Sequence, residues 1–242
     1  MSTPRFYLDH PLALGARFNL PPGPARHAAR ALRLTAGDAV ILFNGLGGEY
    51  DAQIDRVLKG EVAVSITGFS DRARESPLQV MLAQGISSGE RMDYTLQKAV
   101  ELGVSAIQPI AAKRSVVKLS GDRVDKRVAH WQGVVASACE QCGRNHVPRV
   151  APPLTLASWL GQREAGRLLF LSPLADARPA DLPAPSGQDC LVAGPEGGFE
   201  ADEIAALHAA GAIPVRLGAR ILRTETAALA ALATMQSLWG DF

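Results

Sequence analysis

Cysteine is scarce in this sequence: three of its 242 residues are cysteine. An odd and small number of cysteines argues against a disulfide framework and fits a reducing compartment. The sequence also lacks any run of about 18 apolar residues, the length that a membrane-spanning helix requires. Its first residues have no apolar core of the kind found in signal peptides. We therefore expect a cytoplasmic protein that does not contact a membrane.

The sequence also lacks a recognisable metal-binding motif. Cys139 and Cys142 have the spacing of a CxxC motif, and His130 and His146 lie nearby in the sequence. A redox CxxC normally stands at the start of a helix, where the helix dipole stabilises the thiolate, but this pair comes late in a long helical pattern. Two cysteines and two histidines at this spacing match no usual zinc site. We expect no metal ion.

An excess of charge of one sign is missing as well, since the formal net charge is +1. The charges are nevertheless unevenly distributed: residues 77–150 contain 10 basic and 6 acidic residues, and residues 151–242 contain 6 basic and 10 acidic ones. The basic segment includes a cluster that is suited to a polyanion, although a solvated loop and helix face would have the same composition. The members of this cluster are Lys113, Arg114, Lys118, Arg123, Lys126 and Arg127.

The N-terminal residues 1–72 read as a small, mostly β module. Strands are predicted at residues 5–8, 39–43, 50–57 and 61–69, with a glycine-rich hairpin loop at 44–48. A helix predicted at residues 24–34 places Arg26, Arg30 and Arg33 on one face, because their spacings are four and three. No acidic residue lies between Gly15 and Gly37 to neutralise them. RNA binding and a merely solvated helix face are equally compatible with this pattern.

From residue 73 onward the pattern alternates strand and helix, after a charged linker that ends in proline. Near-continuous apolar strands separated by helices predict an α/β domain with a mostly parallel sheet. The predicted strands are 78–84, 106–110, 168–171, 190–193 and 213–217, and the predicted helices are 90–102, 122–142, 155–163, 201–210 and 224–239.

Two strand-to-helix turns in this domain carry most of the functional information. The first is the glycine-rich segment Gly194–Phe199, and the second runs from Leu217 to Ala227. Such turns are where α/β proteins bind ligands, and glycines let the backbone approach a small molecule closely. The first turn matches neither the GxGxxG motif nor a P-loop. In the second turn Thr224 is a natural N-cap, and Arg220 and Arg223 are close enough in sequence to converge on one anion.

A third candidate lies near the end of the predicted helix 122–142. Positions 140 and 144 are one helical turn apart, so the carboxylate of Glu140 and the guanidinium of Arg144 can project together. An ordinary surface ion pair would have the same spacing.

Together these residues resemble the RsmE family of small-subunit ribosomal RNA uracil-N3 methyltransferases, members of the SPOUT superfamily. The resemblance covers nearly the whole chain and is most specific at the two turns. Two positions depart from the family pattern, since Ser88 stands where the family usually has lysine and Glu200 where a serine or threonine N-cap is usual. The other matching segments are the arginine-rich helix with Phe43-Asn44-Gly45, Gly89 to Asp93, Gln97 to Ala99, Glu101 to Val104, and Glu140-Gln141 with Arg144 and Pro148.

The resemblance implies a PUA-like RNA-binding domain at residues 1–72 and a SPOUT methyltransferase domain with an α/β trefoil knot at residues 73–242. It also implies a homodimer that uses S-adenosylmethionine to methylate N3 of one uridine in 16S ribosomal RNA of the small ribosomal subunit. The residues that it assigns to the cofactor come from three loops: Leu171, Gly194, Pro195, Glu196, Gly197, Gly198, Leu217, Gly218, Ile221 and Leu222.

The chemistry of the reaction suggests the remaining roles. Uracil N3 carries a proton and becomes a good nucleophile only when that proton leaves, so we expect Arg144 and Arg223 to stabilise the anion and Glu140 to orient an arginine or accept the proton. Arg26, Arg30, Arg33 and the cluster at 113–127 are the predicted RNA contacts. Two alternatives stay open: a SPOUT RNA methyltransferase with a different target nucleotide, and a non-catalytic assembly factor that binds ribosomal RNA.

Overall fold

The structure, a computed structural model, describes residues 3–116 and 121–242. The chain forms two compact units. Unit 1 consists of Met1–Glu75 together with Ala136–Val147, and unit 2 consists of Ser76–Val135 together with Pro148–Phe242. In the described part of the chain, no helix is long and apolar enough to cross a membrane.

Unit 1 is built around a five-stranded sheet in which the strand order is β1-β3-β4-β5-β2. Strands β1 and β3 run parallel, and the other neighbours are antiparallel. Along the last long strand, Val62, Val64 and Ile66 are buried while the residues between them are not, as the two-residue period of a half-buried strand requires. The elements are β1 (Arg5–Tyr7), β2 (Arg17–Asn19), α1 (Pro22–Arg26), a π-helical turn (His27–Ala31), β3 (Ala39–Phe43), β4 (Glu49–Leu58) and β5 (Glu61–Ser70).

The helix of unit 1 differs from its prediction. It ends at Ala31 rather than residue 34, and its second half is a π-helical turn. Arg33 lies beyond this end with a φ of 54°. The prediction that Arg33 shares one helix face with Arg26 and Arg30 is therefore wrong, because Arg33 lies after the end of the helix and its backbone is not helical.

Unit 2 contains a six-stranded parallel sheet in the order β11-β9-β10-β6-β7-β8. The five residues of its fifth strand in chain order, Asp189–Ala193, are all buried, as expected for a central strand covered on both faces. The strands are β6 (Val80–Gly85), β7 (Ala106–Ile110), β8 (Arg149–Val150), β9 (Arg167–Leu171), β10 (Asp189–Ala193) and β11 (Ile213–Val215). The helices are α2 (Gly89–Glu101), α3 (Asp122–Cys142), α4 (Leu156–Leu160), a 3₁₀ turn (Pro179–Asp181), α5 (Ala201–Ala209) and α6 (Thr224–Trp239). The residues of α3 from Ala136 onward belong to unit 1.

The order of the strands explains where a ligand site forms. The chain moves from β6 outward through β7 and β8, and then returns to the other side of β6 to build β9, β10 and β11. Because all six strands are parallel, the carboxyl ends of β9, β10 and β11 meet at one edge of the sheet. In open α/β sheets ligands bind at this edge, where the strand order reverses.

Candidate active site

A pocket of about 430 Å³ lies at the carboxyl ends of β9, β10 and β11. Its wall is formed by residues 170–174, 193–199, 215–218 and 220–225, with Arg91, Arg114, Ile204 and Ala227 completing it. The two turns singled out in the sequence thus face one cavity. The ten residues that the resemblance assigned to the cofactor all line it, namely Leu171, Gly194, Pro195, Glu196, Gly197, Gly198, Leu217, Gly218, Ile221 and Leu222. Their role as cofactor ligands stays a prediction.

The first turn is packed closely against the end of β6. A Cβ atom added to Gly85 would lie 2.3 Å from the backbone nitrogen of Pro195 and 2.7 Å from the carbonyl carbon of Gly194. Distances this short exclude any side chain at position 85. Gly198 has a φ of 70°, so the same turn also needs a residue that adopts the left-handed region easily.

Thr224 does not cap α6, contrary to the prediction. The N-cap position is occupied by Arg223, whose side chain makes no capping hydrogen bond. The Thr224 hydroxyl instead donates to the Gly194 carbonyl oxygen at 2.5 Å and accepts a hydrogen bond from Nε2 of Gln84 at 3.0 Å. It thereby joins β6, the first turn and the start of α6. Capping rules consider only local partners, whereas this hydroxyl bonds across 30 residues of sequence.

Glu196 ties the first turn to the start of α2. One of its oxygens accepts hydrogen bonds from the backbone nitrogen of Ser88 at 2.9 Å and from the Ser88 hydroxyl at 3.1 Å, and Arg91 lies 3.4 Å from it. Burial raises the pKa of Glu196, but these hydrogen bonds and the charge of Arg91 outweigh it, so the net pKa is below its ordinary value. Ser88, the departure from the family pattern, thus holds an ionised carboxylate in place.

Two carboxylates on the pocket wall have an oxygen without a hydrogen-bond partner. Oε2 of Glu196 and Oε2 of Glu225 are both buried, and within the described residues neither accepts a hydrogen bond. A buried acceptor without a donor costs about 1–3 kcal/mol. The wall is therefore suited to a ligand that brings N–H or O–H donors or positive charge.

Glu140 and Arg144 lie in unit 1, and the structure gives them different partners. The helix α3 ends at Cys142, and Gly143 follows with a φ of 87°, so Arg144 is not on the helix and the one-turn spacing argument was wrong. Arg144 is 5% exposed, and its guanidinium bonds to Glu75, with Nε 3.0 and 3.2 Å from the two carboxylate oxygens. Glu140 accepts a hydrogen bond from the backbone nitrogen of Tyr7 at 2.9 Å. Burial raises its pKa, and this hydrogen bond offsets only part of the effect.

Sequence reasoning missed a buried polar cluster beside these two residues in unit 1. Glu49 is 4% exposed, and its Oε2 accepts a hydrogen bond from Arg5 at 2.5 Å and one from Asn145 at 3.4 Å. Arg72 adds an ion pair at 3.6 Å. Burial raises the pKa of Glu49, but these donors and charges lower it further than burial raises it. The partners are 44 and 96 residues apart in sequence, so no local pattern could have indicated them.

The predicted RNA contacts differ in how they are placed. Arg26, Arg30 and Arg33 are exposed on unit 1. Lys113 forms an ion pair with Asp202, and Arg114 bonds to both oxygens of Glu200 at 2.8 and 3.0 Å. A phosphate would compete with those carboxylates. Of the remaining candidates, Arg123 and Lys126 are exposed, Arg127 is partly buried, and Lys118 lies outside the described residues.

Two of the three cysteines, Cys139 and Cys190, are buried. Burial raises the pKa of Cys139 and of Cys190 to about 12. Both therefore remain thiols at neutral pH. Residues 3–116 and 121–242 contain no group of three or more His, Cys, Asp or Glu side chains that could hold a metal ion.

Comparison with known proteins connects this geometry with a family. A family model described as an RNA methyltransferase domain matches residues 74–236, and one described as an RNA methyltransferase PUA domain matches residues 25–67. The ribosomal RNA small subunit methyltransferase E of Buchnera aphidicola is 31% identical, over 99% of this chain and 95% of its own. The enzyme of the same name from Mycobacterium bovis is 33% identical, over 97% and 92%.

Two solved structures match this chain over its whole length. The ribosomal RNA small subunit methyltransferase E from Neisseria gonorrhoeae, bound to S-adenosyl methionine, is 44% identical, with a TM-score of 0.95 and full coverage of both chains. A methyltransferase from Legionella pneumophila, solved in complex with the same cofactor, is 38% identical, with a TM-score of 0.97 and equal coverage.

These matches define the class as an RNA methyltransferase with an N-terminal PUA-like domain. The predicted fold class, a PUA-like domain followed by a SPOUT-type α/β methyltransferase domain, is confirmed, while the trefoil knot stays a prediction. More narrowly, the chain belongs to the family of ribosomal RNA small subunit methyltransferase E enzymes.

Proposed function

We propose that this enzyme transfers a methyl group from S-adenosylmethionine to N3 of one uridine, U1498 in the family, of 16S ribosomal RNA in the small ribosomal subunit. The observation that supports the proposal is that residues of both family-specific turns line the same pocket. The cofactor follows from its presence in the two solved relatives. We further propose that the enzyme acts as a homodimer in the cytoplasm, with residues 1–72 as its RNA-binding domain and residues 73–242 as its catalytic domain.

The residues present fit this cofactor. S-adenosylmethionine carries positive charge on its sulfonium and ammonium groups and offers hydroxyl and amine donors. The unpartnered carboxylate oxygens of Glu196 and Glu225 complement both properties. The glycines at 194, 197 and 198 leave room for an adenine ring against the main chain, and Leu171, Leu217 and Leu222 supply apolar contacts. When bound, the cofactor supplies a methyl group that is already activated for transfer.

The protein must then make N3 nucleophilic and align it. Each unit by which the pKa of N3 is lowered requires about 1.4 kcal/mol of preference for the anion. One hydrogen bond to a charged group supplies roughly 1.5–3 kcal/mol. One or two arginines can therefore lower the pKa of N3 enough for part of the base to be deprotonated at neutral pH.

We assign this electrostatic role to Arg223, which lines the pocket, and to Arg144. The assignment of Arg144 and of Glu140, as orienting group or proton acceptor, rests on their match to the family motif. The raised pKa of Glu140 supports a carboxylate that takes up a proton more readily than an exposed one.

The test has three parts. Calorimetry with S-adenosylmethionine should show binding to the wild-type protein, and mass spectrometry of ribosomal RNA from a deletion strain should show loss of N3-methyluridine. At saturating cofactor, Arg223→Ala and Arg144→Ala should each lower the turnover rate about ten- to a hundredfold.

Controls separate chemistry from folding. Glu75→Gln removes the ion pair of Arg144 without touching its guanidinium, so a loss of turnover in Arg144→Ala that Glu75→Gln does not share identifies a chemical role. Unchanged turnover in both arginine variants would show the assignment to be wrong. A deletion strain that keeps its N3-methyluridine would show that the target is a different nucleotide.

A further inference from the structure

Four side chains form an exposed rim on the pocket, which we call the pocket rim: Leu174, Arg220, Ile221 and Arg223. They come from two segments of the wall, one after β9 and one between β11 and α6. None of these four side chains takes part in the hydrogen bonds of Glu196 and Thr224 described above. Its composition is unusual because it combines uncovered apolar side chains with uncompensated positive charge.

The positive charge of the rim is uncompensated, unlike that of the other arginines on the pocket wall. Arg91 is paired with Glu196 and Arg114 with Glu200. Arg216 is close enough to Asp181 to help lower its pKa. Among the described residues, by contrast, the guanidinium groups of Arg220 and Arg223 have neither a hydrogen-bond partner nor an ion-pair partner. An anion can therefore bind them without displacing a carboxylate.

The apolar part of the rim is equally exposed. Leu174 is 91% exposed and Ile221 is 87% exposed, the highest values among the large apolar side chains of the described residues. Each faces solvent with most of its surface, and burying such a side chain is worth about 1.5–3 kcal/mol. Two uncovered aliphatic groups beside two unpaired arginines match a ligand that carries both a flat apolar face and a phosphate.

We infer that the pocket rim receives one unpaired nucleotide of the RNA substrate, with its phosphate on Arg220 and its base against Leu174 and Ile221, while Arg223 keeps the role at N3 assigned above. The inference rests on the proposed function, since it makes this nucleotide the one whose N3 enters the pocket. N3 lies on the Watson–Crick edge of uracil, so it becomes reachable only when the base is unpaired. Enzymes that act on a base in this way extrude it from the stack into a pocket, and proteins recognise unpaired RNA bases by stacking and phosphate contacts.

The central test compares Arg220→Gln with Arg149→Gln by binding of a 16S ribosomal RNA transcript at several salt concentrations. Arg149 is exposed on β8, at the opposite edge of the sheet from β11, so it is matched in charge and distant in topology. Arg220→Gln should weaken binding several-fold and reduce the slope of log K against log salt by about 0.7–1, the value of one phosphate contact. Arg149→Gln should leave the slope unchanged. An unchanged slope for Arg220→Gln, or an equal loss for both variants, would overturn the inference.

A second variant tests the apolar half. Leu174→Ser should weaken RNA binding several-fold without changing the slope of log K against log salt. The substitution removes apolar surface that the RNA would cover, and it leaves every charge in place. Both rim variants should bind S-adenosylmethionine within about twofold of wild type, and both should keep the wild-type mass in light scattering. Weakened cofactor binding would assign the rim to the cofactor instead, and a change of mass would assign it to a contact between two copies of the chain.

The two proposals fail separately. If the wild-type protein does not bind S-adenosylmethionine, the proposed function is wrong. If it binds the cofactor normally while neither rim variant alters RNA binding, only the assignment of the rim is wrong.

Discussion

At the scale of single residues, the pocket depends on positions where a side chain is either excluded or bonded across the fold. Gly85 excludes a side chain because the backbone of Gly194 and Pro195 occupies that space. Thr224 and Gln84 connect three segments of chain through one hydroxyl. These residues do not carry out chemistry themselves, but they fix the turn that contributes six residues to the pocket wall.

Gly85→Ala tests this dependence. The new methyl group would lie 2.3–2.7 Å from atoms of the main chain and of the proline ring, which cannot move independently. We expect a loss of about 1–3 kcal/mol in the free energy of unfolding, as for other overpacked sites, and a loss of cofactor binding by at least tenfold. Urea unfolding and calorimetry measure the two effects.

Gly89→Ala is the matched control for that experiment. Gly89 begins α2, its φ is not positive, and an added Cβ would meet nothing within 4 Å. It should leave cofactor affinity unchanged. A Gly85→Ala variant that behaves like Gly89→Ala would show that the turn adjusts freely.

At the scale of elements, α2 and α6 are joined by a buried glutamine. Gln236 on α6 is 1% exposed; its Oε1 accepts a hydrogen bond from the Ser76 hydroxyl at 2.7 Å, and its Nε2 donates to the Leu102 carbonyl oxygen at 2.9 Å. The side chain thus satisfies the carbonyl group at the C-terminal end of α2. It also links the beginning of unit 2 to its last helix.

Gln236→Leu should lower the free energy of unfolding by about 2–4 kcal/mol, because the Ser76 hydroxyl loses its acceptor and the Leu102 carbonyl oxygen loses its donor, at roughly 1–3 kcal/mol each. Chemical denaturation measures this loss. Ser237→Ala, at the next and exposed position, should have little effect. In the double variant with Ser76→Ala, the combined loss should be smaller than the sum, since one of the two orphaned groups is removed. Additive losses would contradict the hydrogen-bond interpretation.

Most elements were predictable because their signals are local. The apolar periodicity located α3 and α6 with the bounds that the structure shows, and the long strands of both sheets within a few residues. The short strands β2 and β8 were missed, since three and two residues are too few for a period to be visible. The π-helical turn before Arg33 was also missed, because no local pattern distinguishes such a turn from an α-helix.

The candidate site was predictable for a different reason. Its turns are rich in glycine and follow apolar strands, which is a local signal, and they converge because parallel strands end at one edge. What the sequence could not provide is the pairing of charged groups. Arg144 with Glu75, and Arg114 with Glu200, are 69 and 86 residues apart and depend on the folded topology alone.

At the scale of the whole molecule, the net charge is close to zero, but the basic residues of the two units differ in whether acidic residues compensate them. The segment from Gly15 to Gly37 contains no acidic residue and presents Arg26 and Arg30 to solvent. On unit 2, by contrast, Lys113 and Arg114 are compensated by neighbouring carboxylates. We therefore expect the exposed arginines of unit 1 to contribute more to the salt dependence of RNA binding than their number alone would suggest.

The double variant Arg26→Gln/Arg30→Gln should reduce the slope of log K against log salt by about 1.5 for the 16S ribosomal RNA transcript, two phosphate contacts being lost. Filter binding or fluorescence anisotropy across a salt series measures this slope. Arg56→Gln/Lys59→Gln removes two exposed charges from the same unit, beside Asp55 and Glu61, and should have a smaller effect. Equal slopes for the two double variants would argue against a specific role for the arginines of the helix.

The division of helix α3 between the two units limits which fragments of this protein can keep the contacts of unit 1. Its residues to Val135 belong to unit 2, and those from Ala136 belong to unit 1. A continuous N-terminal fragment therefore omits Asn145, the buried hydrogen-bond partner of Glu49 and Arg5, and Arg144, the partner of Glu75. Unit 1 consists of two separate segments of the chain, so neither truncation nor gene fusion can isolate it as one continuous fragment. Any exchange of this unit between relatives must therefore include the last third of the helix and residues 143–147.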